Sequence, residues 1–435
     1  MKRIAMVMAF VLALALTFAF AGPGGTDEVV VSVAKSGPED VARLRALGLD
    51  LLFEAEGRVF IVASPADLGA LETAGLAFRF ETERLAPTGS FAALAPQAAG
   101  DINGDFHDYA EVEAELDSLQ REFPNLAKVH DLGLTLEGRH VYALKVSARV
   151  DVDEAEAQVL FLGCHHAREW ISVEVPLLFA RYALERYASD AEMRRLLDHS
   201  EVWIVPLVNP DGLEYTISTY RYWRKNRRDN GDGSFGIDIN RNYDYAWGID
   251  NAGSSPDPSS DVYRGPSAAS EPETQAVQGL IASRHFQALI SYHSYAQDIL
   301  FPWGYTTTPA PDAARLRDLA AAMSARIQAV NGRTYAYGEA GSTLYLTNGD
   351  ITDWAYGRFR VMAFTIELPP DSYFQGNFFN AESEIQSLFL ENVPAMEYLI
   401  DQSMILFAEE AAASAAVKSE PRTGDHARET RPVKR

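Results

Sequence analysis

The sequence predicts an α/β protein with a mixed, largely buried sheet flanked by helices, preceded by a small ferredoxin-like α+β unit. Two observations predict this fold. Apolar runs of strand length, such as residues 158–163 and 286–292, alternate with segments of helical length, which is the pattern of a sheet covered by helices. A stretch rich in Ala, Pro and Gly around residues 84–105 separates these runs from a shorter unit before it.

The first 21 residues have the features of a secretory signal. Lys2 and Arg3 precede an apolar run, and the small-x-small triplet Ala19-Phe20-Ala21 follows it. An uncleaved membrane anchor is the alternative, because the run is nearly long enough to span a bilayer. The small residues favour cleavage after Ala21, and no later apolar stretch has that length. We therefore expect a secreted, soluble protein with no membrane partner once the signal is removed.

Residues 22–84 are predicted to form a βαββαβ unit. A strand at 28–34 precedes a helix at 38–48, and two strands surround the turn Glu56-Gly57. A helix at 65–75 and a strand at 76–83 follow, and each helix starts with proline and ends with glycine. This order is the split βαβ arrangement. Residues 85–104 form the predicted exposed linker, a kind of segment that proteases cut.

The larger unit, residues 105–408, contains the predicted mixed sheet. Helices are predicted at 109–123, 172–188 and 271–284, and two strands surround the turn Glu137-Gly138. Further strands are predicted at 158–163, 201–208, 286–292 and 360–368. From residue 409 the sequence becomes polar and basic, so residues 409–435 are predicted to be a disordered tail.

Charge and cysteine content narrow the range of functions. The formal net charge of −23 argues against a nucleic-acid partner, since phosphate binding needs clustered Lys and Arg. The single cysteine, Cys164, cannot close an intramolecular disulfide. We interpret it as a small buried residue rather than as a metal ligand.

A cluster of candidate metal ligands follows the predicted strand at 158–163. His165 lies four positions before Glu169 and His166 lies three before it, so either imidazole could share a metal ion with that carboxylate. A catalytic zinc needs three protein ligands and an open position, and His293, after another apolar run, is the candidate third ligand. Glu367 also follows an apolar run, and a buried unpaired carboxylate needs a cation or a function.

Seven motifs of the larger unit come in a fixed order: HAREW, NPDG, WRKNRR, GIDINRNYD, SYHSY, LYLTNGDITDW and FTIEL. In this order they resemble the zinc metallocarboxypeptidases of the pancreatic A/B type, most closely the bacterial carboxypeptidase T type, over residues 106–406. The resemblance implies a zymogen of a hydrolase that removes the C-terminal residue of peptides and proteins. The βαββαβ unit resembles the propeptide of such zymogens, which implies that the protein's own propeptide is its inhibitor. We expect a monomer.

The resemblance also implies a zinc site. His166, Glu169 and His293 match the ligands of the single catalytic Zn²⁺, which leaves His165 as a packing or hydrogen-bonding neighbour. Asp238 matches the carboxylate that holds the first zinc histidine from behind, and such partners fix the orientation of the ring.

The remaining matched positions concern catalysis and substrate binding. Glu367 matches the general base, which takes a proton from water and passes it to the leaving amine. Arg224 matches the arginine that stabilises the developing oxyanion. A non-catalytic zinc protein is disfavoured, because both residues are present. The positions that match substrate-binding residues are Arg168, Asn240, Arg241, Tyr345, Asp350 and Thr352.

Two of these positions predict specificity. Basic-specific relatives have a carboxylate at the position of Thr352, and apolar-specific relatives have an aliphatic residue there, whereas this sequence has neither. Asp350 occurs as in carboxypeptidase T, so we expect cleavage of both apolar and basic C-terminal residues. The alternative within the family is a cell-wall peptidase that acts on muropeptides.

Two acidic loops, residues 101–105 and 229–234, have carboxylate spacings that occur in calcium loops. The first lacks the later glycine and the closing glutamate of such a loop. We interpret both as turns, with Ca²⁺ as the alternative.

Overall fold

The computed structural model describes residues 29–80, with gaps at 36, 38–39, 42, 45–46, 56 and 64, together with residues 103–370 and 378–419. The predicted signal, most of the predicted linker and the last part of the predicted tail lie outside the described residues. Within the described residues, no helix combines the length and the apolar character needed to cross a bilayer.

The N-terminal unit has its own sheet and its own apolar core. Its elements are β1 (Val29–Ala34), β2 (Asp50–Ala55), β3 (Arg58–Ala63), α1 (Pro65–Thr73) and β4 (Phe78–Phe80). The sheet order is β2-β3-β1-β4, and all its described pairs are antiparallel. Of the helix predicted at 38–48, the described positions 40, 41, 43 and 44 are helical. This is the order expected of the split βαβ arrangement. The buried core of the unit includes Val31, Leu44, Val59, Ile61 and Leu71.

The larger unit alternates strands and helices, as its apolar runs predicted. Its strands are β5 (Ala127–Leu134), β6 (His140–Val146), β7 (Ala157–Leu162), β8 (Ser200–Val205), β9 (Phe286–Ser294), β10 (Asp298–Phe301), β11 (Ala336–Glu339) and β12 (Met362–Leu368). Its α-helices are α2 (Tyr109–Glu122), α3 (Ile171–Arg186), α4 (Ala191–Asp198), α5 (Pro210–Ser218), α6 (Pro272–Ala282), α7 (Ala313–Asn331), α8 (Ala340–Thr343), α9 (Ile351–Phe359) and α10 (Glu382–Ser419).

The eight strands form one mixed sheet, which confirms the predicted fold class. The strand order is β11-β10-β12-β9-β7-β8-β6-β5. The central strands β12, β9, β7 and β8 are mutually parallel, whereas β5, β6 and β10 add antiparallel pairs. Every residue of β7, β8 and β9 is buried, because helices and loops cover both faces of the parallel strands. Strands buried on both faces need continuous apolar sequence, which is why these runs were recognisable.

Hydrogen bonds at their first residues fix where several helices begin. Asp108 and Glu111 form a capping box at the start of α2, and each accepts a backbone N–H of the other. The Asp350 side chain accepts a hydrogen bond from the backbone N–H of Asp353 at the start of α9. Because these caps define the helix ends, they also fix the loops that precede them.

The parallel strands bring distant segments to one edge of the sheet. β7 ends at Leu162, and Gly163 follows it before the chain bends and turns at residues 165–168. A Cβ atom at Gly163 would lie 2.2 Å from the Ser172 carbonyl oxygen, so only glycine fits there. β9 and β12 run side by side with His293 directly paired with Glu367. The sequence suggested that both residues follow their strands. In the structure each lies within the last residues of its strand.

The C-terminal helix α10 extends into residues that were predicted to be a disordered tail. It packs against α3, α7, β7 and β9, and it continues past Glu409, where the tail was expected to begin, to Ser419. Residues 408–416 are mostly alanine and glutamate, which are strong helix formers. The polar and basic character of residues 409–435 predicted disorder, but helix propensity and continuity with the packed part of α10 maintain the helix as far as Ser419.

Candidate metal centre and active site

Three side chains from two segments meet at the edge of the sheet. His166 and Glu169 belong to the turn between β7 and α3, and His293 lies at the end of β9. His166 Nδ1 lies 2.8 Å from Glu169 Oε1, and His293 Nδ1 lies 3.0 Å from Glu169 Oε2. One ligand atom from each residue lies within 4.8 Å of the others, and all three residues are buried. Among the described residues, no other group of three His, Cys, Asp or Glu side chains converges in this way.

The donor set fits a metal cation. His166 Nδ1 and His293 Nδ1 face each other at 3.1 Å, and two imidazole nitrogens can approach this closely only if one carries a proton or a cation lies between their lone pairs. Two imidazole nitrogens and one carboxylate oxygen are ligands that zinc prefers, and three protein ligands leave a position open. Burial would raise the pKa of Glu169, but the two imidazoles hold it below its usual range, so the carboxylate is charged.

Asp238 lies behind His166. Its Oδ1 is 3.3 Å from His166 Nε2, the ring nitrogen on the side away from Glu169. Its Oδ2 accepts hydrogen bonds from Arg224 Nε at 3.1 Å and Nη2 at 2.9 Å. Asp238 is fully buried; although burial would raise its pKa, Arg224 and Arg241 hold the pKa well below the usual range. The geometry thus gives His166 an anionic partner and also ties Arg224 to that partner.

Glu367 enters the same site from β12. Burial raises the pKa of its carboxyl group well above the usual value, and the negative charges of Glu169 and Asp298 add to this effect. Asp298 is its partner in the neighbouring strand β10. A carboxyl group with a raised pKa can both accept and return a proton near neutral pH.

A cavity of about 420 Å³ connects these groups. Its lining includes His166, Glu169 and Glu367, and the guanidinium groups of Arg168, Arg224 and Arg241 lie around them. The three arginine residues are each at most 6% exposed. Arginine binds carboxylates through two parallel hydrogen bonds, so this cavity is suited to an anionic ligand.

The other predicted substrate-binding residues divide into two groups. Tyr345 lines the cavity, and its ring centroid is 6.0 Å from the guanidinium carbon of Arg241. Asn240 is buried beside Arg241, and its side-chain oxygen accepts a hydrogen bond from the backbone N–H of Ile351. Asp350 and Thr352 are buried too, but they are outside the lining of the 420 Å³ cavity.

Hydrogen bonds to its neighbours occupy the carboxylate of Asp350. Oδ1 accepts from the Thr352 hydroxyl at 2.7 Å and from the Asp353 backbone N–H at 2.9 Å, and Oδ2 accepts from the Thr347 hydroxyl at 2.7 Å. A Cβ atom added at Gly304 would lie 2.2 Å from the Thr347 hydroxyl oxygen and 2.9 Å from Asp350 Oδ2. The absence of a side chain at Gly304 therefore makes room for this hydrogen-bonded pair. Asp350 thus has a structural role at the start of α9, where it accepts the backbone N–H of Asp353.

Comparison with known proteins identifies relatives of this chain. A family profile described as zinc carboxypeptidase, Peptidase_M14, matches residues 112–395. The chain belongs to the zinc carboxypeptidase family. A zinc carboxypeptidase of Saccharothrix mutabilis subsp. capreolus is 31% identical over 404 residues, covering 87% of this chain and 89% of that protein. A carboxypeptidase B of Astacus astacus is 36% identical over 269 residues, covering 60% of this chain and 86% of that protein.

Solved structures agree. The crystal structure of carboxypeptidase A from Helicoverpa armigera matches with a TM-score of 0.70 and 25% identity, over 90% of this chain and 99% of that one. The protein is thus a zinc carboxypeptidase, a hydrolase that acts on C-terminal peptide bonds. The family is zinc-dependent, and the His-Glu-His cluster is compatible with that metal.

Sequence reasoning missed several residues of this zinc carboxypeptidase site. Gly48, Leu49, Leu51 and Val59 of the N-terminal unit line the cavity, as does Asp298. No sequence pattern marks them, because their position depends on how the two units pack and on the pairing of β10 with β12. His165 was predicted to be a packing or hydrogen-bonding neighbour; its ring is fully buried, and burial, followed by the charges of His293 and His166, lowers its pKa well below the usual value.

Proposed function

We propose that this zinc carboxypeptidase is secreted as a zymogen and removes apolar and basic C-terminal residues from peptides and proteins. The observation that carries the proposal is the convergence of His166, Glu169 and His293 at the edge of a cavity. His166, Glu169 and Glu367 line this cavity, together with buried arginine residues. The three converging residues supply ligands, Glu367 supplies a proton acceptor, and the arginines supply partners for a carboxylate.

In this proposal His166 Nδ1, His293 Nδ1 and a carboxylate oxygen of Glu169 hold the Zn²⁺. Zinc held there would polarise the scissile carbonyl and acidify an attacking water molecule. Glu169 is positioned independently of the metal, because its Oε2 also accepts the backbone N–H of Ser294 at 3.2 Å. Asp238 orients the His166 ring from behind, and such partners typically contribute about 10- to 100-fold to metal affinity.

Glu367 moves the proton. Its carboxylate accepts a proton from the attacking water and returns it to the amine of the departing residue. The raised pKa of its carboxyl group supports this role, because burial and the charges of Glu169 and Asp298 favour the protonated form that must act as the acid.

Arg168, Arg224 and Arg241 bind the charged parts of the substrate. Arg241 lies next to Tyr345, which supports a clamp for the terminal carboxylate, and Asn240 lies beside it. Arg224 is held by Asp238 close to the metal ligand His166, which supports a role at the developing oxyanion. A clamp for a free carboxylate restricts cleavage to the end of a chain.

The test combines metal analysis with detection of released residues. We expect one zinc per chain and release of single C-terminal amino acids. His293→Ala should abolish both, whereas His285→Ala, which changes an exposed histidine outside the cavity, should abolish neither. A metal-free active protein, or release of internal fragments, would contradict the proposal.

The zymogen proposal rests on the packing of the N-terminal unit. Gly48, Leu49, Leu51 and Val59 line the cavity together with two of the proposed zinc ligands, His166 and Glu169. Gly48 also approaches Val262 of the larger unit. We expect protein without the signal to have much lower kcat/KM than a product that begins near Asp105. Equal activity of the two forms would show that the N-terminal unit is not an inhibitor.

The proposed dual specificity depends on Asp350 and Thr352. Asp350 supplies a carboxylate for basic side chains, and the adjacent Thr352, whose hydroxyl donates to Asp350 at 2.7 Å, is neither acidic nor aliphatic. The assay compares kcat/KM on peptides that end in Phe, Leu, Arg and Lys. Exclusive cleavage of either class would contradict dual preference, and faster cleavage of muropeptides than of ordinary peptides would favour the cell-wall alternative.

A further inference from the structure

A chain of hydrogen bonds leads away from the back of His293. The ring nitrogen that faces away from Glu169, His293 Nε2, lies 3.1 Å from Ser291 Oγ. The same hydroxyl oxygen lies 3.1 Å from His165 Nδ1, and the other ring nitrogen of His165 lies 2.9 Å from the hydroxyl oxygen of Tyr243. All four residues are completely buried. The rings of His165 and His293 also stack, with centroids 5.5 Å apart and planes inclined by 17°.

The donors and acceptors of this chain can be assigned from one end. If His293 Nδ1 offers its lone pair to a metal, the single proton of the neutral ring must be on Nε2. His293 Nε2 then donates to Ser291 Oγ, and the serine hydroxyl donates to His165 Nδ1. The proton of the neutral His165 ring is consequently on Nε2, which donates to the Tyr243 hydroxyl. Each link has one donor and one acceptor, so the arrangement is consistent along its whole length.

We propose that His165, acting through Ser291, is a positioning residue that fixes the tautomer and the orientation of His293 for zinc binding. The inference rests on the proposed zinc site and extends it to the second histidine ligand. His166 has the carboxylate of Asp238 behind it, whereas His293 has a neutral hydroxyl–imidazole–phenol chain. The two histidine ligands thus have partners of different charge.

The chemistry of the site supports a specific role. A buried imidazole with unpaired nitrogens is costly, so an apolar side chain would be the simpler choice for filling the space behind β9. His165 instead has both ring nitrogens within hydrogen-bond distance of buried hydroxyl groups. Partners of this kind fix the direction of a metal-ligating ring.

The test measures metal binding in the full-length protein. His165→Phe keeps a ring but removes both nitrogens, Ser291→Ala removes the connecting hydroxyl, and His165→Gln retains one acceptor and one donor. Tyr292→Phe is the matched control. It removes a buried hydroxyl group that lies on the same strand as Ser291 and has no hydrogen-bond partner. The readouts are the Kd for Zn²⁺ from competition with a chelator, and the visible absorption spectrum of the Co²⁺-loaded protein. Urea unfolding of the metal-free protein separates a loss of folding from a loss of binding.

We expect His165→Phe and Ser291→Ala to raise the Kd for Zn²⁺ about 10- to 100-fold and to change the Co²⁺ spectrum, with a smaller effect of His165→Gln and none of Tyr292→Phe. Zinc affinities of the first two variants within about twofold of the control would overturn the inference. Equal losses in His165→Gln and His165→Phe would overturn it as well. If the unsubstituted protein binds no Zn²⁺, or binds it equally well after His293→Ala, the proposed zinc site itself fails.

Discussion

Glu273 is expected to lower the stability of the folded protein as pH rises. It lies in the first turn of α6 and is fully buried. Asn226 Nδ2 donates to its Oε2 at 3.3 Å, while its Oε1 has no hydrogen-bond partner. Burial raises the pKa of its carboxyl group to about 8, and the nearby charge of Glu271 adds to the effect. A raised pKa means that the folded protein binds this proton more tightly than the unfolded chain.

The magnitude follows from linkage. The proton stabilises the folded state fully below the pKa of the unfolded chain, near 4.5, and this contribution is lost as pH rises to about 8. Each pH unit in that interval corresponds to about 1.4 kcal/mol. Ionisation of Glu273 should therefore lower the free energy of unfolding by about 2–5 kcal/mol between pH 5 and pH 9. Glu273→Gln removes the ionisation and keeps the shape, so the variant should exceed the unsubstituted protein in stability by this amount at pH 9.

The measurement is urea unfolding of both proteins at several pH values from 5 to 9, at one zinc concentration. The difference between the two proteins cancels the titration of all other groups. Glu271→Gln is the matched control: its carboxylate pairs with Arg228 Nε at 2.8 Å, so its removal should destabilise the protein by about 1–3 kcal/mol. A difference between Glu273→Gln and the unsubstituted protein that does not grow with pH would refute this reasoning.

The remaining predictions concern activity. Glu367→Gln should lower kcat/KM by about 10²- to 10⁴-fold with unchanged zinc content, and a variant with more than a tenth of the activity would show that another group moves the proton. Asp350→Asn should reduce kcat/KM on peptides ending in Arg or Lys far more than on those ending in Phe, with thermal stability preserved because Asn caps helices as well as Asp; an equal loss on all four peptides would indicate a structural role alone. A strong chelator should abolish activity and lower the melting temperature, and added Zn²⁺ should restore both; chelator-treated protein that retains its activity would exclude a catalytic metal.

Much of the fold could be predicted because the sheet is buried. Strands such as β7 and β9 are buried on both faces, so their sequences are largely apolar and differ from the helices between them. Short or partly exposed elements give no such signal. β10 and β11 have four residues each and were not predicted, and the end of α10 depends on helix propensity rather than on an apolar stripe.

The residue types of the site could be predicted from the sequence, but their contacts could not. The sequence could show that His166, Glu169 and His293 carry suitable ligand atoms, but the spacing left His165 and His166 equivalent. The family resemblance assigned the ligand role to His166, and the fold supplies a physical reason. His166 Nδ1 faces Glu169, whereas His165 lies against Ser291 and Tyr243. The contacts of Asp350 were also beyond sequence reasoning, since its partner Thr347 and its neighbour Gly304 are brought together by tertiary packing.

His293 pairs directly with Glu367 across β9 and β12. This pairing ties the spacing of the two side chains to the sheet, whereas the surrounding loops can change independently. Adjacent parallel strands hold a fixed spacing, and a slip of one residue would turn either side chain to the opposite face. The pairing of the two strands therefore sets the distance between the proposed metal ligand and the proposed proton acceptor. The loops that carry Tyr345 and Asp350 can lengthen, shorten or exchange residues without disturbing that distance. New substrate preferences can therefore arise in this scaffold while the hydrolytic chemistry stays intact.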